Sequence, residues 1–167
     1  VMLGSASQKC AKGDAIQIES SKFITLRGLT ITDTGGQSIQ LFGGRRKQNT
    51  AIHIERNRIY GNGTSRCQGG ILIGPGNPDI VIVNNLIYGN GQEAIRITGS
   101  KGGPHYIVHN TIHDNRREGV DITKGQTVVL LNNLITVNGA DSKPKAQLVG
   151  VRRAQEEEQI RERATVA

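Results

Sequence analysis

The eight residues Asn84–Gly91, NNLIYGNG, are repeated with small changes at three other places in the chain. The related stretches are RNRIYGNG at Arg56–Gly63, HNTIHDNR at His109–Arg116 and NNLITVNG at Asn132–Gly139. Every copy has asparagine at its second and seventh positions and isoleucine at its fourth. A unit that recurs at a spacing of some tens of residues is typical of a solenoid, so the repeat indicates the fold class before any single residue does.

Two short alternating strands accompany each copy. The first strands read AIQI from Ala15, SIQL from Ser38, GILI from Gly70, AIRI from Ala94 and GVDI from Gly119. The second strands read ITL from Ile24, IHI from Ile52, IVI from Ile80, HYI from His105 and VVL from Val128. Strands this short gain most by pairing with their equivalents one repeat away, which buries a continuous stack of Ile, Val and Leu.

The position three residues beyond each second strand holds Leu29, Asn57, Asn85, Asn110 or Asn133, at successive spacings of 28, 28, 25 and 23 residues. The length differences fall in segments 43–49, 64–68 and 99–104, so the strands keep their register while the loops vary. Asparagine tolerates the left-handed conformation of tight corners, and stacked amides can hydrogen-bond along an axis. We therefore expect one asparagine ladder here and a second ladder at Asn62, Asn90, Asn115 and Asn138.

The units resemble the repeats of right-handed parallel β-helix proteins, the pectate-lyase-like superfamily. The stretch FITLRGLTIT at Phe23–Thr32 resembles the opening rung of many such domains, and the resemblance covers about Asp14–Gly139. It implies an all-β solenoid of about five coils. It is less specific for function, because the superfamily includes lyases, hydrolases, epimerases, phage tailspikes and adhesins. It also implies an extracellular or cell-surface location, although the sequence shows no signal peptide.

The expected division of the chain is a β-helix domain at 1–139, as part of a longer coil, and a linker with a charged tail at 140–167. The tail ends in GVRRAQEEEQIRERATVA, whose composition predicts a charged helical or disordered segment. Cys10 and Cys67 are the only cysteines, and the sequence leaves open whether they pair.

The formal net charge is +7, of which the tail contributes +1 from six basic and five acidic residues, so the repeats carry about +6. A basic surface attracts nucleic acid, anionic lipid or acidic polysaccharide. The aromatic fraction is 3% and no nucleic-acid-binding motif is present, so we expect no nucleic-acid partner. No apolar run approaches the roughly 18 residues of a membrane span.

Residues at equivalent positions of a β-helix stack about 4.8 Å apart, so a column of outward side chains forms a cluster. The candidate catalytic cluster comprises Glu93, Arg96, Glu118, Asp121 and Lys124. Neighbouring carboxylates raise one another's pKa, which favours an acid/base pair or a Ca²⁺ site. A polyuronate lyase also needs a cation to neutralise the sugar carboxylate. The alternative is a structural ion pair between Arg96 and Asp121 with solvated glutamates.

A second column holds candidate substrate-binding residues. Tyr60, Tyr88 and His113 occupy one position, and Arg56 and Arg58 precede the first of them. Stacked aromatic rings could carry a sugar ring, or could cover the corner by contacting only one another. His105, His109 and His113 are four residues apart, but on a strand and bend they do not converge, so no metal site is predicted there.

Two functional hypotheses follow. The first is a carbohydrate-active protein, lyase- or epimerase-like, that acts on or binds an acidic polysaccharide with Ca²⁺ as an optional cofactor. The second is a non-catalytic structural or glycan-binding module of a larger surface or secreted protein. The chain carries no complete active-site signature of a β-helix enzyme family, and the sequence therefore leaves open whether it is an enzyme.

Overall fold

A computed structural model of the chain describes residues 13–44, 48–63, 68–99, 102–123, 126–139 and 148–149. The first three coils contain β1 (Ile16–Ile18), β2 (Thr25–Arg27), β3 (Thr30–Ile31), β4 (Ile39–Leu41), β5 (Ile52–Glu55), β6 (Arg58–Tyr60), β7 (Ile71–Ile73), β8 (Ile80–Val83) and β9 (Leu86–Tyr88). The remainder contains β10 (Ile95–Ile97), β11 (Gly102–Val108), β12 (Thr111–His113), β13 (Val120–Ile122), β14 (Gln126–Leu131), β15 (Leu134–Thr136) and β16 (Leu148–Val149).

The strands form three parallel sheets, because each strand pairs with its equivalent in the next coil. Sheet A has the order β1-β4-β7-β10-β13-β16, sheet B the order β2-β5-β8-β11-β14, and sheet C the order β3-β6-β9-β12-β15. Five strand triplets therefore stack through four inter-coil steps, and β16 adds a sixth strand to sheet A. The predicted all-β parallel solenoid is confirmed. Each coil contains three strands, however, and not the two that the sequence pattern suggested.

The third strand was missed because only one of its residues is apolar and buried, as in β6 and β9, whereas β4 and β7 of sheet A each have two such residues in alternation. Its central isoleucine was recognised, but the flanking asparagines concealed the alternation that identifies a strand. Those asparagines mark the ends of the strand and lie outside it. Each third strand pairs in parallel register through this isoleucine, at Ile31, Ile59, Ile87, Ile112 and Ile135.

The core is a stack of aliphatic side chains from all three sheets. Ile39, Ile71 and Ile95 stack in sheet A, Ile52 and Ile80 in sheet B, and all five are at most 1% exposed. β-branched side chains fit this geometry because their restricted χ1 angle suits a pleated strand buried by neighbouring coils.

Both predicted asparagine ladders are present. In the first ladder, Asn57 donates its backbone N–H to Asn85 Oδ1 over 2.9 Å, and Asn85 repeats the contact with Asn110 over 2.9 Å. In the second, Asn62 donates to Asn90 over 3.1 Å, and Asn90 to Asn115 over 3.2 Å. Each asparagine oxygen thus satisfies a buried donor of the preceding coil, which the strand ladders leave unpaired at the corners.

A third, shorter ladder lies at the corner between sheets A and B. Asn49 accepts the backbone N–H of Ser21 over 3.0 Å, and Asn77 accepts that of Asn49 over 2.8 Å. The sequence analysis did not identify this ladder, although its members are 28 residues apart like those of the first ladder.

Left-handed residues bend the backbone at the corners of every coil. Between sheets B and C this position holds Gly28, Arg56, Asn84, His109 and Asn132, with φ from 53° to 68°. After sheet C it holds Asp33, Gly61, Gly89, Asp114 and Val137, with φ from 53° to 64°. A side chain at such a corner projects outward beside the strand that follows or precedes it.

Among the described residues, no helix is long and apolar enough to cross a membrane. Most of the predicted tail at 140–167 lies outside the described residues, as do Cys10 and Cys67. The described strand within that tail, β16, pairs with β13 through Leu148 and Val149.

Candidate functional site

Two groups of predicted site residues lie on different sheets. The charged group lies on the outer face of sheet A, where Arg96 of β10 is in register with Asp121 of β13. Arg96 Nε lies 3.3 Å from Asp121 Oδ2, and Arg96 Nη1 lies 3.5 Å from Glu93 Oε1. Stacking of adjacent coils therefore brings Glu93, Arg96 and Asp121 together, as the register argument predicted.

Glu93 is the most enclosed member of the charged group, with a side chain only 6% exposed. A second guanidinium, that of Arg117, lies 3.4 Å from Glu93 Oε1. Arg117 was not predicted, although it precedes Glu118, which occupies the Glu93 position one coil later. Glu93 is therefore held between two arginines from adjacent coils, and removing either would leave a largely buried carboxylate less compensated.

Asp121 is the described member of the charged group whose ionisation is altered. Burial raises its pKa above the ordinary aspartate value, and the Glu93 and Glu118 carboxylates add to this increase. The Arg96 and Arg117 guanidinium groups oppose it. The arrangement can hold a proton on Asp121 at a higher pH than a solvated aspartate would.

In the earlier coils, side chains at positions equivalent to Glu93 hydrogen-bond to the backbone of the next coil. Asp14 Oδ1 accepts the backbone N–H of Gln37 over 2.8 Å, and Gln37 Oε1 accepts that of Gly69 over 3.0 Å. Glu93 and Glu118 occupy the same position in the following coils, two residues before β10 and β13. Side-chain oxygens at this corner thus bridge adjacent coils, which supports the ion-pair alternative for the charged group.

Lys124, the fifth predicted member, lies outside the described residues. Within the described ranges, no group of three or more His, Cys, Asp or Glu side chains is arranged to hold a metal ion.

The second group lies on the outer face of sheet C. Tyr60, Tyr88 and His113 are in register on β6, β9 and β12. The Tyr60 and Tyr88 ring centroids are 4.9 Å apart, those of Tyr88 and His113 are 5.1 Å apart, and both interplanar angles are 7°. The three rings form a continuous parallel stack along the coil axis, which we call the aromatic column.

Arg58 lies against the aromatic column. Its guanidinium carbon is 4.9 Å from the Tyr60 ring centroid and 5.6 Å from that of Tyr88. Its Nε and Nη2 donate to the Tyr88 hydroxyl over 3.0 Å and 2.6 Å. These cation–π contacts and hydrogen bonds restrict the rotamer of an otherwise exposed side chain.

The geometry changes the expected role of the tyrosines. Rings that stack on one another along the axis cover each other's faces, so a sugar cannot stack between them. What remains accessible is the ring edges, the Tyr hydroxyls and the Arg58 guanidinium. Arg56, the remaining predicted binding residue, is exposed at the left-handed corner two residues before Arg58.

The histidines do not converge on one point. His105 is 1% exposed and faces the core between Ile80 and Val128, whereas His109 is exposed at a corner. His113 belongs to the aromatic column, and its Nδ1 lies 2.7 Å from Asp114 Oδ2.

The sequence of residues 7–150 matches the family model described as a right-handed β-helix region. No curated protein sequence and no solved structure gives a significant match. The match covers most of the chain and agrees with the stacked parallel sheets and with the resemblance to the pectate-lyase-like superfamily. The chain therefore belongs to the right-handed β-helix family.

Proposed function

We propose that this chain is a non-catalytic β-helix module that binds an acidic polysaccharide at an extracellular or cell-surface location. The proposed binding surface is the outer face of sheet C, comprising Arg56, Arg58, Tyr60, Tyr88 and His113. The observation that carries the proposal is the ordered, exposed guanidinium of Arg58 on the aromatic column.

Arg58 is suited to a carboxylate ligand. A guanidinium has five N–H donors in a rigid fork, and the Tyr88 hydroxyl accepts from only two of its three nitrogens. The remaining donors can form a charge-assisted pair with a uronate carboxylate. Because contacts with two tyrosines already restrict the side chain, less conformational entropy is lost on binding.

A binding role fits the geometry better than a catalytic one. General base catalysis needs a group that is free to accept a proton from the substrate. Glu93 is instead largely buried between Arg96 and Arg117, and Asp121 is paired with Arg96. The lyase- or epimerase-like alternative rests on Asp121, whose pKa burial raises above the ordinary aspartate value, so that this carboxyl group holds a proton more readily than a solvated aspartate does.

The experiment is a binding titration of the full chain with pectate, alginate and a glycosaminoglycan, each with and without Ca²⁺. We expect binding to at least one of them that weakens as salt is added. Replacing Arg58 by Gln should weaken it about tenfold or more, because a charge-assisted hydrogen bond contributes about 1.5–3 kcal/mol. Arg58→Lys should restore only part of the affinity, since a lysine lacks the planar fork.

Arg27→Gln is the matched control, because Arg27 is also an exposed arginine on an outer face, that of sheet B, where it pairs with Glu55. Equal loss of affinity in both variants would indicate non-specific charge attraction and contradict the proposed surface. Ultraviolet absorbance in the same samples reports unsaturated uronates. Their appearance, and their loss in Asp121→Asn, would replace the binding proposal by the lyase alternative.

A further inference from the structure

The aromatic column lies between two exposed carboxylates. At the left-handed corner after sheet C, the two coils that carry the tyrosines have glycine, Gly61 and Gly89. The coil before them has Asp33 at this corner and the coil after them has Asp114, and both aspartates are exposed. Because a side chain at this corner projects outward beside sheet C, the two carboxylates border the two ends of the three-ring stack.

Neither carboxylate is neutralised by a strong base in the described part of the chain. Asp33 Oδ2 accepts a hydrogen bond from the Thr32 hydroxyl over 3.1 Å, and Asp114 Oδ2 lies 2.7 Å from His113 Nδ1. No described arginine or lysine lies within ion-pair distance of either one. The described strands of sheet C contain no acidic residue, so Asp33 and Asp114 carry the negative charge of this face.

The positive charge of the face lies between the two aspartates. Arg58 extends from the second coil, and its guanidinium group lies over Tyr60 and donates to the Tyr88 hydroxyl of the third coil. Its remaining N–H donors are therefore presented at the two coils whose corner residue is glycine. Along the coil axis, the surface is thus negative, then positive, then negative.

A polysaccharide that lies along the aromatic column meets these charges in turn. A pyranose unit is about as long as one coil is high, roughly 4.8 Å, so successive sugars lie on successive coils. A carboxylate on the central sugars gains a charge-assisted hydrogen bond from Arg58. A carboxylate on the flanking sugars instead approaches Asp33 or Asp114, and like charges at that position weaken binding.

A uniformly charged polyuronate therefore matches this surface poorly, because it brings a carboxylate to every coil. A chain in which uncharged sugars flank a single uronate avoids both like-charge contacts. The oxygens of Asp33 and Asp114 can then accept hydrogen bonds from the hydroxyl groups of the flanking sugars. Repulsion of the wrong ligand is a common source of specificity in binding sites.

We propose that the outer face of sheet C selects acidic polysaccharides whose uronates are separated by uncharged sugars. One uronate carboxylate binds Arg58, and Asp33 and Asp114 exclude further carboxylates on either side of it. This selectivity rests on the proposed function, because it names the ligand of the same surface. It makes the two aspartates specificity-determining residues.

The test compares two galacturonate hexamers that differ only in charge, in titrations of the full chain near physiological salt. One hexamer has all carboxyl groups free, and the other has a single free carboxyl group and methyl esters on the remaining units. We expect the esterified hexamer to bind about threefold to tenfold more tightly, because each like-charge contact is comparable in strength with an exposed ion pair. Non-specific attraction to a chain of net charge +7 predicts the opposite order.

Replacing both Asp33 and Asp114 by Asn should abolish this preference by strengthening the binding of the fully charged hexamer. Asparagine tolerates the left-handed corner conformation, so the variant keeps the fold, which circular dichroism checks. Asp79→Asn is the matched control, because Asp79 is also an exposed aspartate at a left-handed corner, with φ of 54°, but lies directly before β8 of sheet B. It should leave the preference unchanged.

Three results would overturn the selectivity: equal affinities, tighter binding of the fully charged hexamer, or a preference that Asp79→Asn changes as much as the double variant does. If Arg58→Gln still weakens the binding of both hexamers in these cases, the proposed surface stands without the selectivity. Absence of saturable binding by both hexamers also overturns the selectivity. The proposed surface is then decided by the titrations with alginate and the glycosaminoglycan.

Discussion

Asn85 illustrates what the repeated asparagine does in each coil. Its backbone N–H and Nδ2 donate to Asn110 Oδ1 over 2.9 and 3.0 Å, and Nδ2 also donates to the Ile54 carbonyl over 2.8 Å. Its own Oδ1 accepts from Asn57. The side chain is 2% exposed, so water cannot replace these partners without opening the corner.

Replacing Asn85 by Leu should lower the free energy of unfolding by about 1–3 kcal/mol, because buried donors and carbonyls lose their partners. Urea denaturation measures the change. Gln40→Leu is the control, since it removes an amide from the outward position of β4, and it should change the free energy by less than about 0.5 kcal/mol. Equal effects of the two substitutions would show that the ladder does not stabilise the coil.

His105 introduces an ionisable group into the core column between Ile80 and Val128. Burial lowers its pKa below the ordinary histidine value, while the Gln126 side chain and the Asp79 carboxylate partly oppose that effect. Its Nδ1 is buried without a hydrogen-bond partner among the described residues. Protonation would place an imidazolium in this aliphatic stack.

The stability of the chain should therefore fall in mild acid. The unfolded state binds the proton near the ordinary pKa of about 6.5 and the folded state only at lower pH, so stability decreases as pH falls through 6.5 towards the folded pKa. Thermal unfolding of His105→Leu should lack this component of the pH dependence. His53→Gln, at an exposed position of β5, should retain it. A His105→Leu profile parallel to that of the wild type would contradict the assignment.

At the scale of elements, two of the three strands per coil were predictable because their apolar residues alternate over three or four positions. The third strand and the Asn49–Asn77 ladder were not identified. The strand has a single buried apolar residue and therefore shows no alternation, and the ladder has only two asparagines in loops of variable length. The sequence thus predicted two of the three sheets, with their inward residues, and two of the three asparagine ladders.

Close approach of the neighbouring coil constrains Gly70, the residue directly before β7 of sheet A. A Cβ at Gly70 would lie 1.9 Å from the Ala94 carbonyl oxygen, which is backbone and cannot move without displacing β10. Gly70→Ala should destabilise the fold by about 3 kcal/mol, the upper range for overpacking. Chemical denaturation measures this value.

Gly28→Ala provides the comparison for Gly70→Ala. Gly28 has φ of +68° and no heavy atom within 4 Å of the added Cβ. The Gly28→Ala substitution should lower the free energy of unfolding only by the strain of an alanine in the left-handed conformation, about 1–2 kcal/mol. A larger loss for Gly28→Ala than for Gly70→Ala would mean that corner conformation limits the coil more than inter-coil spacing does.

At the scale of the whole molecule, regular stacking of the coils places outward residues at equivalent positions of adjacent coils next to one another, where they form clusters on the surface. The register of the repeats correctly predicted that Glu93 lies near Arg96 and Asp121. It also correctly predicted that Tyr60 lies near Tyr88, and Tyr88 near His113. It did not predict the second guanidinium on Glu93 or the contacts of Arg58, because these depend on side-chain rotamers. The members of each cluster were predictable from the spacing of the repeats. The ion pairs and hydrogen bonds within each cluster could be established only from the structure.

NNLIYGNG is accordingly a structural unit whose constant positions, the two asparagines and the isoleucine, build the scaffold. Asn85 and Asn90 belong to the two long ladders, Ile87 to the core and Gly89 to a corner. Tyr88 is the residue of this stretch that reaches the proposed binding surface. Functional differences among such repeats should therefore be concentrated in outward columns and loops.

The most direct test of the account is a two-dimensional NMR titration of the full chain with the acidic oligosaccharide that binds most tightly. We predict chemical-shift changes at Arg56, Arg58, Tyr60, Tyr88 and His113, with the ladder asparagine amides of the central coils unchanged. Changes confined to Arg96, Glu118 and Asp121 on sheet A, or no saturable change with any acidic glycan, would contradict the proposed binding surface.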